Sequence, residues 1–173
     1  SSDLTNGWHP WKPRKRSSKV ALMRDLLIRC SSLGYLMTEP KSKSEVLSVG
    51  AKTHIREVAA QDIFGVQFQI SDKKIEKGNL VEDDSTELLN EVLGLSLVKN
   101  KERRNNQWIT GECDLFDGIS GEGYDIKSAW SLATFPLCVE DVADAQRKLY
   151  DWQMRGYMML WNAPRWHVAY CMV

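Results

Sequence analysis

The residues best suited to chemistry lie close together, between positions 111 and 127 of the sequence. Glycine and serine residues in the middle of this segment predict a turn, and the flanking residues alternate between polar and apolar side chains, as in a β-hairpin. A turn centred between positions 119 and 120 places Asp114 opposite Asp125. The same register places Glu112 opposite Lys127, and all four side chains then share one face. The segment therefore predicts an acidic cluster with one lysine.

Two carboxylates that face each other across a hairpin repel each other unless a positive charge lies between them. A divalent cation supplies that charge, and oxygen ligands with few histidines or cysteines favour Mg²⁺ or Mn²⁺. Lys127 would then orient or deprotonate an attacking water and stabilise charge in the transition state. The same residues also allow an alternative, a solvated sheet face with a cross-strand ion pair between Glu112 and Lys127.

Three further groups of residues could contact a nucleic acid. Arg29, Ser31 and Ser32 precede a predicted short helix whose N-terminus could bind a phosphate, although the serines also suit an ordinary helix cap. Trp130, in the loop after the hairpin, could stack on an unpaired base or simply anchor that loop. The third group is a basic tip of lysine and arginine residues, Lys99, Lys101, Arg103 and Arg104.

The elements that hold these residues follow from the periodicity of the apolar side chains. Helical spacing predicts N-terminal helices over residues 17–30, 31–37 and 44–63, and further helices over about 81–93 and 139–162. A period of two predicts strands over residues 95–98, 107–116, 124–129 and 166–173. We therefore expect an α/β or α+β fold with a basic irregular arm at residues 1–18 and a single domain at residues 19–173.

Composition narrows the class of protein further. The 173 residues carry 23 basic and 23 acidic side chains, so the net charge of zero gives no general attraction to nucleic acid. Residues 1–29 are mainly basic and residues 110–151 mainly acidic, which suits either a phosphodiester held over metal ions or two solvated faces. The apolar runs are too short for a membrane span. The four cysteines form no CxxC pair, so we expect neither a zinc site nor an iron–sulfur site. We also expect the protein to occur in a reducing compartment.

The acidic residues and the lysine resemble the active-site signature of the PD-(D/E)XK nuclease superfamily. In that signature a helix supplies a carboxylate, a strand supplies an aspartate, and the next strand carries Asp-x-Lys. The matching residues here are Glu82, Asp114 and Asp125-Ile126-Lys127. On the following helix, Gln153 and Tyr157 form a Gln-x-x-x-Tyr motif similar to that of the exonuclease branch, which includes phage lambda exonuclease and the RecB nuclease domain.

The resemblance implies a fold and a set of site residues. The fold is a restriction-endonuclease-like core over residues 78–173, with a central mixed β-sheet flanked by helices in the order α-β-β-β-α-β. The implied ligands of Mg²⁺ or Mn²⁺ are Glu82, Asp114, Asp125 and the backbone carbonyl of Ile126. Lys127 would act beside the metal, and Gln153 and Tyr157 would position the site and the DNA. The iron–sulfur members of the superfamily carry a C-terminal cysteine cluster, whereas the cysteines here are dispersed.

The implied activity is metal-dependent hydrolysis of DNA by an exonuclease of phage or bacterial recombination or repair. Its substrate would be single- or double-stranded DNA ends. A single-strand annealing or recombination protein could be a partner, the chain could form a homo-oligomer, and we expect it in the cytoplasm of a bacterial or phage-infected cell. Two alternatives remain open. One is a structure- or sequence-specific endonuclease on the same fold, and the other is a catalytically silent DNA-binding subunit, which the intact acidic set disfavours.

Overall fold

The computed structural model describes residues 26–65, 78 and 80–173. Within these residues the chain forms six strands, four α-helices and three short 3₁₀ turns. The strands are β1 (Ile28–Arg29), β2 (Arg103–Asn105), β3 (Ile109–Glu112), β4 (Leu115–Asp117), β5 (Glu122–Ser128) and β6 (Trp166–Cys171). The helices are α1 (Leu33–Leu36), α2 (Val49–Phe64), α3 (Glu82–Leu93) and α4 (Asp144–Trp161). The chain therefore has the mixed α+β fold that the sequence predicts.

The described strands form two three-stranded sheets. The first has the order β1-β3-β2, with β1 parallel and β2 antiparallel to β3. The second has the order β4-β5-β6, with β4 antiparallel and β6 parallel to β5. The chain leaves the first sheet after β3 and enters the second at β4, so that Cys113 and Asp114 lie at the junction of the two sheets.

Helix α3 packs against one face of the second sheet. Acidic residues fill its first turn, where they interact favourably with the positive end of the helix dipole. The helix ends at Gly94, whose φ of 65° gives the left-handed turn that a glycine adopts without strain. The hydroxyl of buried Ser85 lies 2.9 Å from that of Ser128 at the end of β5. These contacts fix Glu82, the first residue of α3, relative to β5.

Helix α4 connects the parallel strands β5 and β6 and packs on the other face of β5. Its buried side is built from Gln153, Met154, Gly156, Tyr157 and Trp161. Gly156 brings the helix close to the segment after β1, because a Cβ atom at this position would lie 2.9 Å from the Sγ atom of Cys30. The spacing of Gln153 and Tyr157 is one helical turn, so both side chains point toward the sheets.

An aromatic cluster joins the second sheet to α4. Trp166 of β6 lies directly beside Gly123 of β5 in the parallel ladder. A Cβ atom at position 123 would lie 2.3 Å from the indole ring, so the indole occupies the space that any other side chain would need. The ring centroid of Trp166 lies 6.1 Å from that of Phe116 and 5.2 Å from that of Tyr157. The indole therefore connects the β4–β5 hairpin to the helix behind it.

Two of the predicted strands differ in the structure. Residues 95–98 form no strand, because the Asn90 side chain makes hydrogen bonds to the N–H and the carbonyl of Leu97, at 2.9 and 2.8 Å, and holds this segment against α3. The strand predicted over residues 107–116 is divided into β3 and β4. The second half of the chain therefore begins α-β-β-β-β rather than α-β-β-β, and its strands belong to two sheets.

Three of the predicted helices differ as well. The helix predicted from residue 44 begins at Val49, as α2. The helix predicted over residues 17–30 is wrong at its end, where Ile28 and Arg29 form β1 beside Ile109 and Thr110. The rest of that helix and the basic arm at residues 1–18 lie outside the described residues. The helix predicted from residue 139 begins at Asp144, after a 3₁₀ turn. In the part of the chain that the structure describes, no helix combines the length and the apolar character needed to span a membrane.

Candidate active site

The β4–β5 hairpin brings two aspartates together. Leu115 pairs with Tyr124 and Asp117 with Glu122, which is the register predicted from the sequence. One step further along the same register, Asp114 comes opposite Asp125. The Oδ2 atom of Asp114 accepts a hydrogen bond of 2.7 Å from the backbone N–H of Ile126. The carboxylate at the junction of the sheets is thus tied to the strand that carries the second one.

Asp125 is held from behind by helix α4. The residue is 1% exposed, and the Nε2 atom of Gln153 donates a hydrogen bond of 3.1 Å to its Oδ1 atom. The same Nε2 atom lies 3.2 Å from the hydroxyl of Tyr157, which itself donates to the backbone carbonyl of Glu112 at 3.1 Å. A continuous chain of hydrogen bonds therefore runs from β5 through α4 to the end of β3.

Lys127 pairs with the other oxygen of Asp125. Its Nζ atom contacts the Oδ2 atom of Asp125 and lies 5.1 Å from the ring centroid of Tyr150, on α4. Asp125 Oδ2 is fully buried, and in the part of the chain that the structure describes it has this ionic contact but no other hydrogen-bond partner. A buried carboxylate oxygen with spare capacity is what a cation ligand requires.

The local electrostatics favour a further positive charge. Burial, and after it the charge of Asp125, raise the pKa of Asp114 to about 6, although the Ile126 N–H and Lys127 act in the opposite direction. Burial also raises the pKa of Asp125, although Lys127 opposes this. Burial disfavours the charge on Lys127, yet the two aspartates together raise its pKa. Lys127 is the ammonium group beside this pair, in which Asp125 is buried and Asp114 half-buried, so a divalent cation would complete the neutralisation.

The predicted third carboxylate lies close to this pair. The charge of Glu82 contributes to the raised pKa of Asp114, and its own Oε2 atom lies 2.5 Å from the Nζ atom of Lys99. Among the described residues, no three histidine, cysteine or acidic side chains already converge at metal-binding distance. Asp114 and Asp125 nevertheless fit Mg²⁺ or Mn²⁺ by donor type and by the spare oxygen of Asp125. Ile126 is bound to Asp114 through its N–H, and Glu82 is near enough for its charge to raise the pKa of Asp114.

Glu112 is the one residue of the predicted polar face that lies elsewhere. It belongs to β3, where it pairs with Arg103 of β2, and its Oε2 atom lies 2.7 Å from the guanidinium of that arginine. The predicted pairing of Glu112 with Lys127 is wrong, because the chain changes sheets at Cys113 and Asp114 and the ladder is interrupted there.

The predicted nucleic-acid contacts are distributed around the pair of sheets. Arg29 ends β1, and Ser31 and Ser32 lie in a 3₁₀ turn before α1, which has only four residues and thus a weak dipole. Trp130 is 50% exposed in the loop after β5. Their roles toward DNA stay predictions.

Two contacts of the site were not predicted from the sequence. Tyr150 lies against Lys127, and its spacing from Gln153 and Tyr157, three and seven residues, would have indicated one helix face. Lys99 was predicted only as part of a basic tip, and its pairing with Glu82 depends on a loop whose path the sequence does not indicate.

The protein has the element order and the hairpin aspartates of a PD-(D/E)XK nuclease, and the next helix supplies the glutamine and the tyrosine. These features define a nuclease of that class. No protein-family model matches the sequence, and no curated protein matches it significantly. A solved structure of a phage-related exonuclease from Haemophilus somnus 129PT is 36% identical, covers 84% of this chain and 68% of its own, and superimposes with a TM-score of 0.78. The chain therefore belongs to this family of phage-related exonucleases, in the lambda-exonuclease-like branch of the superfamily.

A more distant structure has the same fold. The alkaline exonuclease LHK-Exo from Laribacter hongkongensis is 14% identical and has a TM-score of 0.60, and its complex with dAMP is 15% identical with a TM-score of 0.58. The matches to these two structures cover 79% and 80% of this chain. The chain spans 64% and 65% of theirs, which is less than two thirds of their length.

Proposed function

We propose that the protein is a divalent-metal-dependent deoxyribonuclease that removes nucleotides from DNA ends. The observation that carries the proposal is the pair Asp114 and Asp125, with Lys127 and Gln153 bound to the latter, in a chain that belongs to an exonuclease family. Mg²⁺ or Mn²⁺ would be held by Asp114, Asp125, Glu82 and the carbonyl of Ile126. When bound, the metal would withdraw charge from the scissile phosphate and make the attacking water more acidic.

Each side chain of the site has a separate task in this proposal. Gln153 and Lys127 each bind one oxygen of Asp125, so this carboxylate keeps one orientation. The ammonium group of Lys127 then lies where it can orient the attacking water and stabilise the negative charge that develops on the phosphate. Tyr157 fixes Gln153 and the end of β3, and so acts as a positioning residue.

End recognition and the cellular role belong to the same proposal. Arg29, with the hydroxyls of Ser31 and Ser32, would bind a terminal phosphate, and Trp130 would stack on an unpaired base. Such an enzyme would serve phage or bacterial recombination or repair in the cytoplasm. It would hand its single-stranded product to an annealing or recombination protein, and several copies of the chain could assemble around the DNA.

One experiment tests activity, metal and end preference together. Linear duplex DNA, with or without terminal phosphates, and relaxed covalently closed circles of the same sequence are incubated with the protein in Mg²⁺, Mn²⁺ or EDTA. We expect release of nucleotides from linear DNA with either metal, no reaction in EDTA and intact circles. Arg29→Ala should slow initiation on phosphorylated ends by roughly three- to tenfold, the loss of one charged contact, with little effect on later steps.

Each contrary result has its own meaning. Cleavage of circles as fast as of linear molecules would show an endonuclease, and digestion in EDTA would show that the reaction does not need a metal. An Asp125→Asn variant provides the control for contaminating nuclease, because it should be inactive on every substrate.

A further inference from the structure

Lys99 is a basic residue at the edge of the candidate metal site. Its Nζ atom lies 2.5 Å from the Oε2 atom of Glu82. The hydrogen bond to Glu82 raises the pKa of Lys99, and the charges of Asp83 and Asp114 raise it further. The ammonium group therefore already neutralises part of the charge that a metal ion would neutralise.

The backbone around Lys99 is fixed on both sides. Before it, Leu97 is bound through its N–H and its carbonyl to the side chain of Asn90 on α3. After it, the N–H of Asn100 donates to the carbonyl of Asp114 at 2.7 Å, and the Asn100 side chain donates to the carbonyl of Cys113 at 3.2 Å. Lys99 thus lies in a loop that links the helix of Glu82 to the backbone of Asp114.

Stability alone gives little reason for this arrangement. The Lys99 and Glu82 side chains are 47% and 24% exposed, and ion pairs of that exposure contribute little to folding. Glu82 is also the one predicted metal ligand that is paired with a lysine outside the Asp-x-Lys motif. The ion pair with Lys99 therefore affects whether Glu82 is free to bind a metal ion.

We propose that Lys99 is an internal competitor of the metal ion. In the metal-free protein its ammonium group occupies Glu82, and it must release this carboxylate before Glu82 can join Asp114 and Asp125 as a ligand. The inference rests on the proposed metal-dependent function. It makes Lys99 a positioning residue that sets the affinity of the site for its metal.

The test measures metal binding without DNA. Mn²⁺ is titrated into the wild-type protein, Lys99→Met and the control Lys101→Met, and free Mn²⁺ is followed by electron paramagnetic resonance. Lys101 is an exposed lysine on the same loop, so its replacement removes the same charge without freeing Glu82. We expect Lys99→Met to bind Mn²⁺ tighter by roughly three- to tenfold, and Lys101→Met to stay within about twofold of wild type.

A double-mutant cycle separates competition for Glu82 from general charge repulsion. In a Glu82→Gln background, Lys99→Met should no longer tighten Mn²⁺ binding, because there is no carboxylate left to release. Equal tightening in both backgrounds would overturn the proposal, as would an unchanged or weaker affinity of Lys99→Met. Should Lys99→Met fail to fold, as judged by circular dichroism, Lys99→Gln replaces it.

Failure of the inference and failure of the proposed function give different results. If the wild-type protein showed no saturable Mn²⁺ binding, the proposed metal site would be wrong and the role of Lys99 with it. If the wild type bound Mn²⁺ and Lys99→Met did not bind it tighter, only the role of Lys99 would be wrong.

Discussion

Asp114 carries a charge that its surroundings do not favour, and this has a consequence for stability. Its pKa in the folded protein is raised to about 6, mainly by burial and by the charge of Asp125. In the unfolded chain an aspartate ionises near pH 4. Between these values the unfolded chain loses its proton first, so the metal-free protein should lose stability as the pH rises from about 4 to about 6.

Replacing Asp114 with asparagine should remove this loss and abolish DNA cleavage. In EDTA at pH 8 we expect Asp114→Asn to exceed wild type in free energy of unfolding by about 1–2 kcal/mol, since its amide can still accept from the Ile126 N–H. Chemical denaturation at pH 4 and pH 8 measures this. Asp117→Asn is a control of opposite sign, because hydrogen bonds from Ser120 and Ile119 lower the pKa of Asp117. A destabilised or active Asp114→Asn would contradict the assignment.

Lys127 is expected to act on the reaction more than on DNA binding. The substrate would be held by many phosphate contacts, whereas Lys127 lies beside Asp125, at the proposed metal site. We expect Lys127→Met to lower kcat by roughly 100-fold, in the range seen when one transition-state donor is removed, and to change DNA affinity by less than about threefold. Single-turnover cleavage and fluorescence anisotropy in EDTA give the two numbers, with exposed Lys148→Met as the control. Equal losses of both would make Lys127 an ordinary phosphate contact.

Most residues of the candidate site could be predicted from the sequence, because the local periodicity of a strand or a helix determines where their side chains lie. Asp125 and Lys127 alternate on one strand, and Gln153 and Tyr157 repeat on one helix. Lys99 could not be predicted in this way. Its contact with Glu82 spans 17 residues and depends on two asparagine side chains that fix the loop.

At the level of elements, helix α4 holds β5 through Gln153, which binds Asp125, and holds the end of β3 through Tyr157. We expect Gln153→Leu to reduce cleavage by roughly tenfold or more, because Asp125 loses the one side chain besides Lys127 that contacts its carboxylate among the described residues. Tyr157→Phe should reduce cleavage less. Tyr157→Phe should also cost about 1 kcal/mol of stability, through the lost bond to the Glu112 carbonyl.

The dependence of cleavage on Mn²⁺ concentration distinguishes positioning from general damage in these variants. Both should need more Mn²⁺ for half-maximal rate than Met159→Leu, a control at an exposed position of the same helix. If Tyr157→Phe reduced cleavage more than Gln153→Leu does, the role given to Gln153 would be wrong.

The elements themselves were predictable where a local pattern decides them. The β4–β5 register follows from a glycine-rich turn and a period of two, and α3 follows from its acidic first turn and Gly94. The structure of residues 95–98 was not predictable. Leu95 and Leu97 alternate as in a strand, but they pack against the Leu89 cluster without a partner strand. Alternation shows which side chains are buried and does not show what the backbone pairs with.

On the scale of the whole molecule, the site lies where two sheets meet. Helix α4 contacts Asp125 on one face of β5, α3 contacts Ser128 on the other, and Asp114 bridges the sheets. The order of these elements is visible in the sequence. Their division into two sheets is not, because the first sheet depends on β1, and a strand of two residues is too short to show a period.

The contact between Gly123 and Trp166 makes two distant positions depend on each other during evolution. They are 43 residues apart in the sequence, yet the indole fills the space that a side chain at position 123 would occupy. A larger residue at 123 would displace the indole onto Tyr157, and a smaller residue at 166 would leave a cavity beside the glycine. Neither change is tolerated easily alone, whereas the two together exchange one filled volume for another. Substitutions at these two positions should therefore occur together, because a protein with only one of them would have a disturbed candidate site.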